Sequence, residues 1–366
     1  MNRHLIRQHR LTITSDKKAS FFLIVTGKEF SPQTISAATA QGNIRQLASL
    51  DEVRRYYLGQ EMVDLALQAA YYTRTPRYRV IVQRTGKALS IRSVASAGKA
   101  ARGQAQQPVA ANTPGVSLLG ADIEVMVRKR DGGAFTALPM ADHHDKVIGA
   151  DSALIRKKHR FYQPIIELRA KPQKNGEKLR QEFLRLKTQL EKRAEKNGVV
   201  IVSEENPRGR FFLGGHVHIS NANASFRKVS QLDAFVAVPL SAYKKNASLL
   251  RRAAYGKLGA VRLNRYRGFE YRTLPTWYAF IEEGAPFFNW LETVLYHPSL
   301  PEIQLAEEAV RAYYAGDRRQ LCRETEKLFA DVAPLLTVRE KHCLLKWDRW
   351  LQQIGTIDEN GSDPVL

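Results

Sequence analysis

The chain has 366 residues, of which 44% are hydrophobic, so it is long and apolar enough for two or three folded domains and is not disordered over its whole length. Lys and Arg outnumber Asp and Glu by 57 to 36, and the formal charge of +21 predicts either contact with something acidic or a well-solvated basic surface. The sequence shows no apolar run near the roughly 20 residues of a membrane span and no apolar signal core at its start, so we expect a cytoplasmic protein without membrane contact.

Residues 1–94 have the pattern of a small basic α+β domain. A strand is predicted at 21–26, one or two helices after the cap residue Ser49, and a hairpin that turns at Gly86. The sequence has no acidic residue between Asp64 and Asp122. This part is therefore predicted either to recruit an acidic protein or a nucleic acid, or to pack on the following domain and complete its fold.

The rest of the chain divides into a linker, a larger domain and a tail. Residues 95–115 are rich in Ala, Gly, Gln and Pro and predict a flexible linker; residues 116–354 form the larger domain with its C-terminal helices, and 355–366 a polar tail. A helix is predicted to end at Gly198, and a second helical stretch to break near Pro239. Cys322 and Cys343 lack metal-site spacing and are expected to be buried thiols.

Four segments of the larger domain each place two functional side chains at alternate positions. Alternation points both members of a pair to one face of a strand, and unpaired charges on a half-buried face predict metal ions, a polyanion, or both. The pairs are Asp122/Glu124 in GADIEVMV, Glu167/Arg169 in PIIELRAKP, His216/His218 in GGHVHIS and Glu270/Arg272 in GFEYRTLP.

Each pair also has a simpler interpretation. Asp122 and Glu124 would suit a solvated outer face, and Glu167 with Arg169 would suit a cross-strand ion pair. The stretch RRAAYGKLGAVRLNRYRGFEYRTLPTW has seven Lys and Arg residues and one acid, which indicates a nucleic acid or a nucleotide triphosphate as counter-charge.

In order and spacing, GADIEVMV, ELRAKP, GGHVHIS, RRAAYGKLGAVR and FEYRTLPTW resemble the phage-associated amidoligase family of carboxylate-amine ligases, relatives of glutamine synthetase and glutamate-cysteine ligase. The resemblance covers roughly 116–290. It implies an α+β fold with a glutamine synthetase-like antiparallel sheet, whose concave face binds ATP through Mg²⁺ or Mn²⁺, between flanking helices. It further implies activation of a carboxylate, peptide or protein carboxylates included, as an acyl phosphate that an amine then attacks.

By the same resemblance, roles follow for individual side chains. The implied metal ligands are Asp122, Glu124, Glu167, His216 and Glu270; the implied nucleotide ligands are His218, Arg252, Arg262 and Arg272; and the implied catalytic residues are Arg169, Arg262 and Arg272. Two other classes stay open, a nucleic-acid-binding protein on a non-catalytic ligase-like scaffold and a metallohydrolase that uses the two histidines.

Overall fold

A computed structural model describes residues 3–14, 18–98, 117–130, 145–151, 153–157, 160–209, 211–244, 248–264, 267–297 and 300–360. These residues form two large antiparallel sheets and a set of helices, which confirms the predicted α+β class. Within these ranges, no helix combines the length and the apolar character needed to span a bilayer.

The first sheet belongs to the N-terminal part of the chain, and its strands follow the antiparallel order β3-β2-β1-β4-β5. The Ser49 side chain caps the first of two successive helices by accepting from the Glu52 amide, and Gly86 turns the hairpin at φ +59°, so both signals are confirmed. The elements are α1 Arg3–Gln8, β1 Phe21–Lys28, β2 Ser31–Thr39, β3 Ile44–Leu47, α2 Leu50–Arg54, α3 Gly59–Tyr72, β4 Arg77–Thr85 and β5 Ala88–Ser96.

The second sheet has the order β13-β14-β12-β6-β10-β7, with β11 pairing beside β6, and a separate two-stranded hairpin joins β8 to β9. Its strands are β6 Leu119–Lys129, β7 Ile148–Ala150, β8 Ile155–Lys157, β9 Arg160–Tyr162, β10 Ile165–Gln173, β11 Val199–Val202, β12 Gly215–Ile219, β13 Val261–Asn264 and β14 Gly268–Tyr271. The helices are α4 Gly176–Lys196, α5 Phe226–Leu232, α6 Val238–Tyr243, α7 Leu249–Ala254, α8 Ala285–Tyr296, α9 Glu307–Ala315, α10 Arg318–Val332 and α11 Val338–Asn360.

Helix α4 covers one face of this second sheet. The Asn175 side chain caps it by accepting from the Lys178 amide at 2.9 Å, and Gly198 follows its end at φ +61°. Leu179, Phe183, Leu186 and Leu190 are fully buried, since their spacing places them on one side of the helix. The opposite face of the sheet is therefore left for polar side chains.

The break predicted near Pro239 takes the form of a π-helical turn. Asp233–Ala237 is π-helical and lies between α5 and α6. Pro239 has no amide hydrogen for the carbonyl of Phe235, four residues earlier, and the Trp290 indole donates to that carbonyl at 2.9 Å instead. A distant side chain thus donates to the carbonyl that cannot accept a bond from Pro239.

The N-terminal part packs directly on the larger domain. One hydrophobic cluster contains residues of both, and the Phe30 and Phe226 rings lie 5.3 Å apart. The Tyr71 hydroxyl donates to the buried Asp233 at 3.0 Å, and the Tyr72 hydroxyl donates to the Leu258 carbonyl. The interpretation that this part completes the larger fold is therefore supported by direct contacts.

The segment borders differ slightly from expectation. Strand β5 continues to Ser96, two residues into the predicted linker, whose residues 99–115 lie outside the described ranges. Helix α11 continues to Asn360, well into the predicted tail, and 361–366 are also outside the description. Cys322 and Cys343 are unpaired but only half-buried, so the prediction of buried thiols was too strong.

Candidate active site

The four paired segments occupy four neighbouring strands of the second sheet. The register places His216 opposite Asp122, Glu124 opposite Glu167, and His218 opposite Glu270. Their sequence neighbours on the other parity, such as Ile123 and Val217, are fully buried on the helix side. The alternation in the sequence therefore predicted the shared face correctly.

Asp122 lies at the centre of this face. One carboxylate oxygen is 2.8 Å from Nδ1 of His216, and the other is 2.7 Å from Nε2 of His218. Nδ1 of His216 is also 3.4 Å from Oε1 of Glu270. One ligand atom each of Asp122, His216 and Glu270 lies within 4.8 Å of the other two, which is the geometry of residues that could share one metal ion.

Glu124 and Glu167 extend the acidic face towards β10. Glu124 accepts from the Gly214 amide at 2.7 Å, and Glu167 accepts from the Arg169 guanidinium. Glu167 and Arg169 thus form an ion pair, as their simpler interpretation predicted, but the two residues lie on one strand and not on two. Beside them, Met126 and Ile165 are buried on the same face and form an apolar border.

Burial and crowding shift the pKa values of these acids in different directions. Burial raises the pKa of Glu124, and burial together with the charge of Asp122 raises the pKa of Glu167 to about 8. Burial also acts to raise the pKa of Asp122, but His216 and His218 outweigh it and hold that pKa well below its usual range. Burial acts to lower the pKa of both histidines, and Asp122 raises it overall.

The glycines of GGHVHIS leave room for buried side chains. A Cβ on Gly214 would lie 2.7 Å from Nε2 of His216 and 2.9 Å from an Arg251 nitrogen, and a Cβ on Gly215 would collide with the Trp277 indole. Gly120 lies opposite His218, and a Cβ there would make ordinary contact at 3.5 Å. The two glycines before His216 are therefore required by close packing next to the cluster.

Besides Arg169, two more of the predicted arginines line the same site. Nε of Arg272 is 3.0 Å from Oε1 of Glu270, and Arg262 on the neighbouring strand is directly opposite Glu270 in register. Arg252 is elsewhere, since its buried guanidinium donates to the carbonyls of Tyr313 and Ser241. The structure thus brings together every predicted site residue except Arg252.

Three further charged residues near the site carry no local motif. Arg251 is 2% exposed and donates to the Thr273 and Leu274 carbonyls, and Lys257 lies beside Arg262 and Arg272. Asp64, on α3 of the N-terminal part, has a carboxylate oxygen 3.6 Å from Nε of Arg262. The sequence signal for Arg251 and Lys257 was the basic stretch as a whole; nothing in the sequence near Asp64 indicated its position.

The donor set of this face suits a hard divalent cation. Four carboxylates, from Asp122, Glu124, Glu167 and Glu270, lie among two imidazoles on adjacent strands, and all four are mostly buried. Oxygen-rich sets of this kind prefer Mg²⁺ or Mn²⁺, and burying so many acids without a counter-ion is costly. The residues present therefore fit such an ion.

One known protein family matches most of this chain. The model of the family described as Phage phiEco32-like COOH.NH2 ligase-type 2 matches residues 119–360. The search of curated proteins gave no match. Two solved structures are similar to this chain. One, described as "GmaS/ADP complex-Conformation 1", is 11% identical, has a TM-score of 0.39, and the match covers 68% of this chain and 71% of that chain. The other, described as "Crystal structure of novel glutamine synthase homolog", is 10% identical, has a TM-score of 0.33, and the match covers 68% of each chain.

Proposed function

This chain belongs to the phage phiEco32-like COOH.NH2 ligase-type 2 family, and we propose that it joins a carboxylate to an amine at the expense of ATP. The product is an amide or a peptide-like bond, and the intermediate is an acyl phosphate. The observation that carries the proposal is the convergence of Asp122, His216 and Glu270 beside two arginines on one sheet face.

In this proposal, the acidic face holds the metal and the arginines hold phosphate. Asp122, Glu124, Glu167, His216 and Glu270 would bind Mg²⁺ or Mn²⁺. A bound divalent cation would neutralise the negative charges that converge when a nucleotide meets four carboxylates. His218 lies at the solvent side of the cluster, with a side chain 32% exposed, where it can contact the nucleotide.

The reaction needs a leaving group on the carboxylate. A carboxylate oxygen of the substrate attacks the γ-phosphorus of ATP, the bond to ADP breaks, and Arg262 and Arg272 balance the charge on the transferring phosphoryl group. The amine nitrogen then attacks the acyl carbon, a C–N bond forms, and inorganic phosphate and a proton leave. Arg169 is placed to bind the substrate carboxylate or a phosphate oxygen.

The same observations weigh against the two other classes. A non-catalytic scaffold would have no reason to retain four mostly buried carboxylates and two imidazoles in register on adjacent strands. A metallohydrolase would need metal ligands but not Arg262 and Arg272 beside them. Phosphoryl chemistry accounts for both sets of charges.

We expect Glu270→Gln to abolish metal-dependent ADP release while the protein stays folded, because the change removes a charge at nearly constant volume. Wild type and variant are assayed with ATP and Mg²⁺ over mixed carboxylates and amines, and Mn²⁺ binding is measured by calorimetry. Glu283→Gln changes an exposed glutamate outside the site and serves as the control. Mn²⁺ affinity equal to wild type in Glu270→Gln would contradict the assignment, whichever substrates prove to be used.

A further inference from the structure

The five strands of the first sheet carry cationic side chains but no acidic residue. The cations on these strands are Lys28, Arg45, Arg77, Arg79, Arg84 and Arg92. Two of them have partners within the fold, since Arg45 contacts Glu52 at 2.5 Å and Arg84 lies over the Phe21 ring. A sheet of this composition has a strongly positive surface wherever its side chains reach solvent.

One face of this sheet is buried, and the other face carries three of the remaining cations. Val25 and Val80 are opposite each other in register and fully buried in the core that the sheet shares with the ligase domain. The alternate positions of the same two strands point away from this core. Lys28, Arg77 and Arg79 occupy such positions and are exposed.

These three cations lie close together without a compensating acid. Lys28 is directly opposite Arg77 in register, and Arg79 is two residues further along the same strand. Like charges at directly opposed positions repel, and within the described ranges none of the three has an ion-pair partner. Glu29, the acid next to Lys28, accepts instead from the Phe226 amide at 3.3 Å. A bound polyanion would remove this repulsion.

The other end of the same face offers an aromatic ring. Phe22 is half-buried, and the Arg92 guanidinium carbon lies 5.1 Å from its ring centroid. Phe22 shares the outward parity of Lys28 on β1, and the two residues lie about 20 Å apart along the strand. Ile24 and Thr26, both half-buried, lie between them. A ligand that contacts both ends must therefore be extended.

A single strand of nucleic acid matches this arrangement better than an acidic protein does. Arg77 and Arg79 are about 7 Å apart along β4, and a nucleic-acid strand presents its phosphates in a row, one per nucleotide. Unpaired bases stack on aromatic rings and on arginine planes, which Phe22 and Arg92 provide. An acidic peptide would use the cations and leave the ring without a function, and a duplex presents only base edges in its grooves.

We propose that the outer face of the first sheet binds single-stranded nucleic acid, with phosphates at Lys28, Arg77 and Arg79 and a base against Phe22. The inference does not depend on the proposed ligase function, because this face points away from the core that joins the sheet to the ligase domain. RNA and DNA share the phosphates and bases that the face would contact, and they differ in the 2′-hydroxyl group. Binding here would place the ligase domain beside a nucleic acid.

The test uses the full chain and measures the binding of fluorescein-labelled probes by anisotropy at about 50 to 200 mM salt. The probes are oligo(U) RNA and oligo(dT) DNA of about twelve nucleotides, a DNA duplex of the same length, and a polyglutamate peptide of matched charge. The variants are Arg77→Gln combined with Arg79→Gln, Phe22→Leu, and Phe22→Tyr. Arg339→Gln combined with Arg349→Gln removes the same charge from exposed positions of α11 and is the matched control. Thermal unfolding checks that each variant is folded.

We expect a single-stranded probe to bind wild type about tenfold more tightly than the duplex or the polyglutamate peptide. The Arg77 and Arg79 double variant should weaken this binding about tenfold and reduce the slope of log affinity against log salt by about 1.4, because two phosphate contacts are lost. Phe22→Leu should weaken binding about fivefold through the lost stacking, whereas Phe22→Tyr, which keeps an aromatic face, should bind as wild type does. The tighter of the two single-stranded probes identifies the sugar, and tight binding of either one supports the inference.

Four results would overturn the inference. An equal loss of affinity in the α11 control would assign binding to net charge and not to this face. Duplex or polyglutamate binding as tight as single-strand binding would remove the basis for choosing a single strand. Displacement of the probe by excess Mg·ADP would place the strand at the ligase site. Equal weakening by Phe22→Tyr and Phe22→Leu would show that the ring packs and does not stack on a base.

Discussion

Adjacent residues of this chain can have unrelated roles, as Arg251 and Arg252 show. Both are nearly fully buried on α7. Arg251 donates to the carbonyls of Thr273 and Leu274, which follow strand β14, whereas Arg252 donates to the carbonyl of Tyr313 on α9. One step along a helix turns a side chain by about 100°, so the pair could not both reach one site.

His9 is a buried side chain whose pKa affects stability. Its ring is 8% exposed and stacks on Tyr72 at 3.7 Å, and burial, with the nearby charge of Arg74, lowers its pKa to about 3. Below pH 6.5 the unfolded chain binds a proton here that the folded chain does not. The contribution of the neutral His9 ring to the free energy of unfolding is therefore complete above pH 6.5 and is lost as the pH falls towards 3.

We therefore expect His9→Phe, which keeps a stacked ring but cannot be protonated, to lose less stability on acidification than wild type. Below pH 6, the free energy of unfolding of wild type should fall faster than that of His9→Phe, by about 1.4 kcal/mol per pH unit. Urea unfolding at pH 7 and pH 5 measures it. His342→Phe, at an exposed position of α11, should keep the wild-type dependence, and equal slopes for His9→Phe and wild type would refute the prediction.

At the scale of elements, the position of the short strand β12 depends on the side chains packed between it and helix α4. Its first residue, Gly215, approaches Trp277 and the Pro275 carbonyl so closely that no side chain fits. Trp277 in turn packs on Phe183 of α4, with ring centroids 4.8 Å apart. The position of His216 is thus fixed by packing that extends to the helix layer.

Gly215→Ala should lower the free energy of unfolding by about 1 to 3 kcal/mol, because the added methyl group forces Trp277 to move. Gly120→Ala, on the neighbouring strand, should cost clearly less because its Cβ would make ordinary contact with His218. Urea unfolding of both variants provides the comparison. A Gly215→Ala variant as stable as Gly120→Ala would show that the indole relaxes freely.

For the whole molecule, the N-terminal sheet and the ligase sheet share one core. Aromatic contacts from Phe30 and Tyr71 to Phe226, and the bond from Tyr71 to Asp233, all cross between them. Lys28, Arg77 and Arg79 remain exposed on the outer side of the first sheet. Recruitment of an acidic protein or a nucleic acid by this surface stays a prediction.

Removal of residues 1–98 should therefore make the remaining chain insoluble or abolish its cooperative unfolding. Phe226 and Leu258 would become exposed to solvent, and Asp233 would lose the hydrogen bond from Tyr71. Soluble yield and thermal unfolding of the fragment give the result. A soluble fragment that binds Mg·ADP as tightly as the full chain would instead restore the interpretation of two separable domains.

The sequence by itself determined the face shared by Asp122, Glu124, His216 and Glu270, because strand parity is a local property with a period of two. It also determined α4, with its cap and its stop at Gly198, from local patterns. It did not reveal strands β2 and β3, whose polar and small residues form a sheet only because neighbours pair with them.

Only the tertiary structure decided which residues meet across long separations. Asp122 became the centre of the cluster because strand register puts two histidines against it. Arg252 was directed away by the turn of a short helix, and Asp64 was brought to Arg262 from nearly 200 residues away by packing of the N-terminal part. These outcomes depend on how whole elements pack together, which no local period or motif encodes.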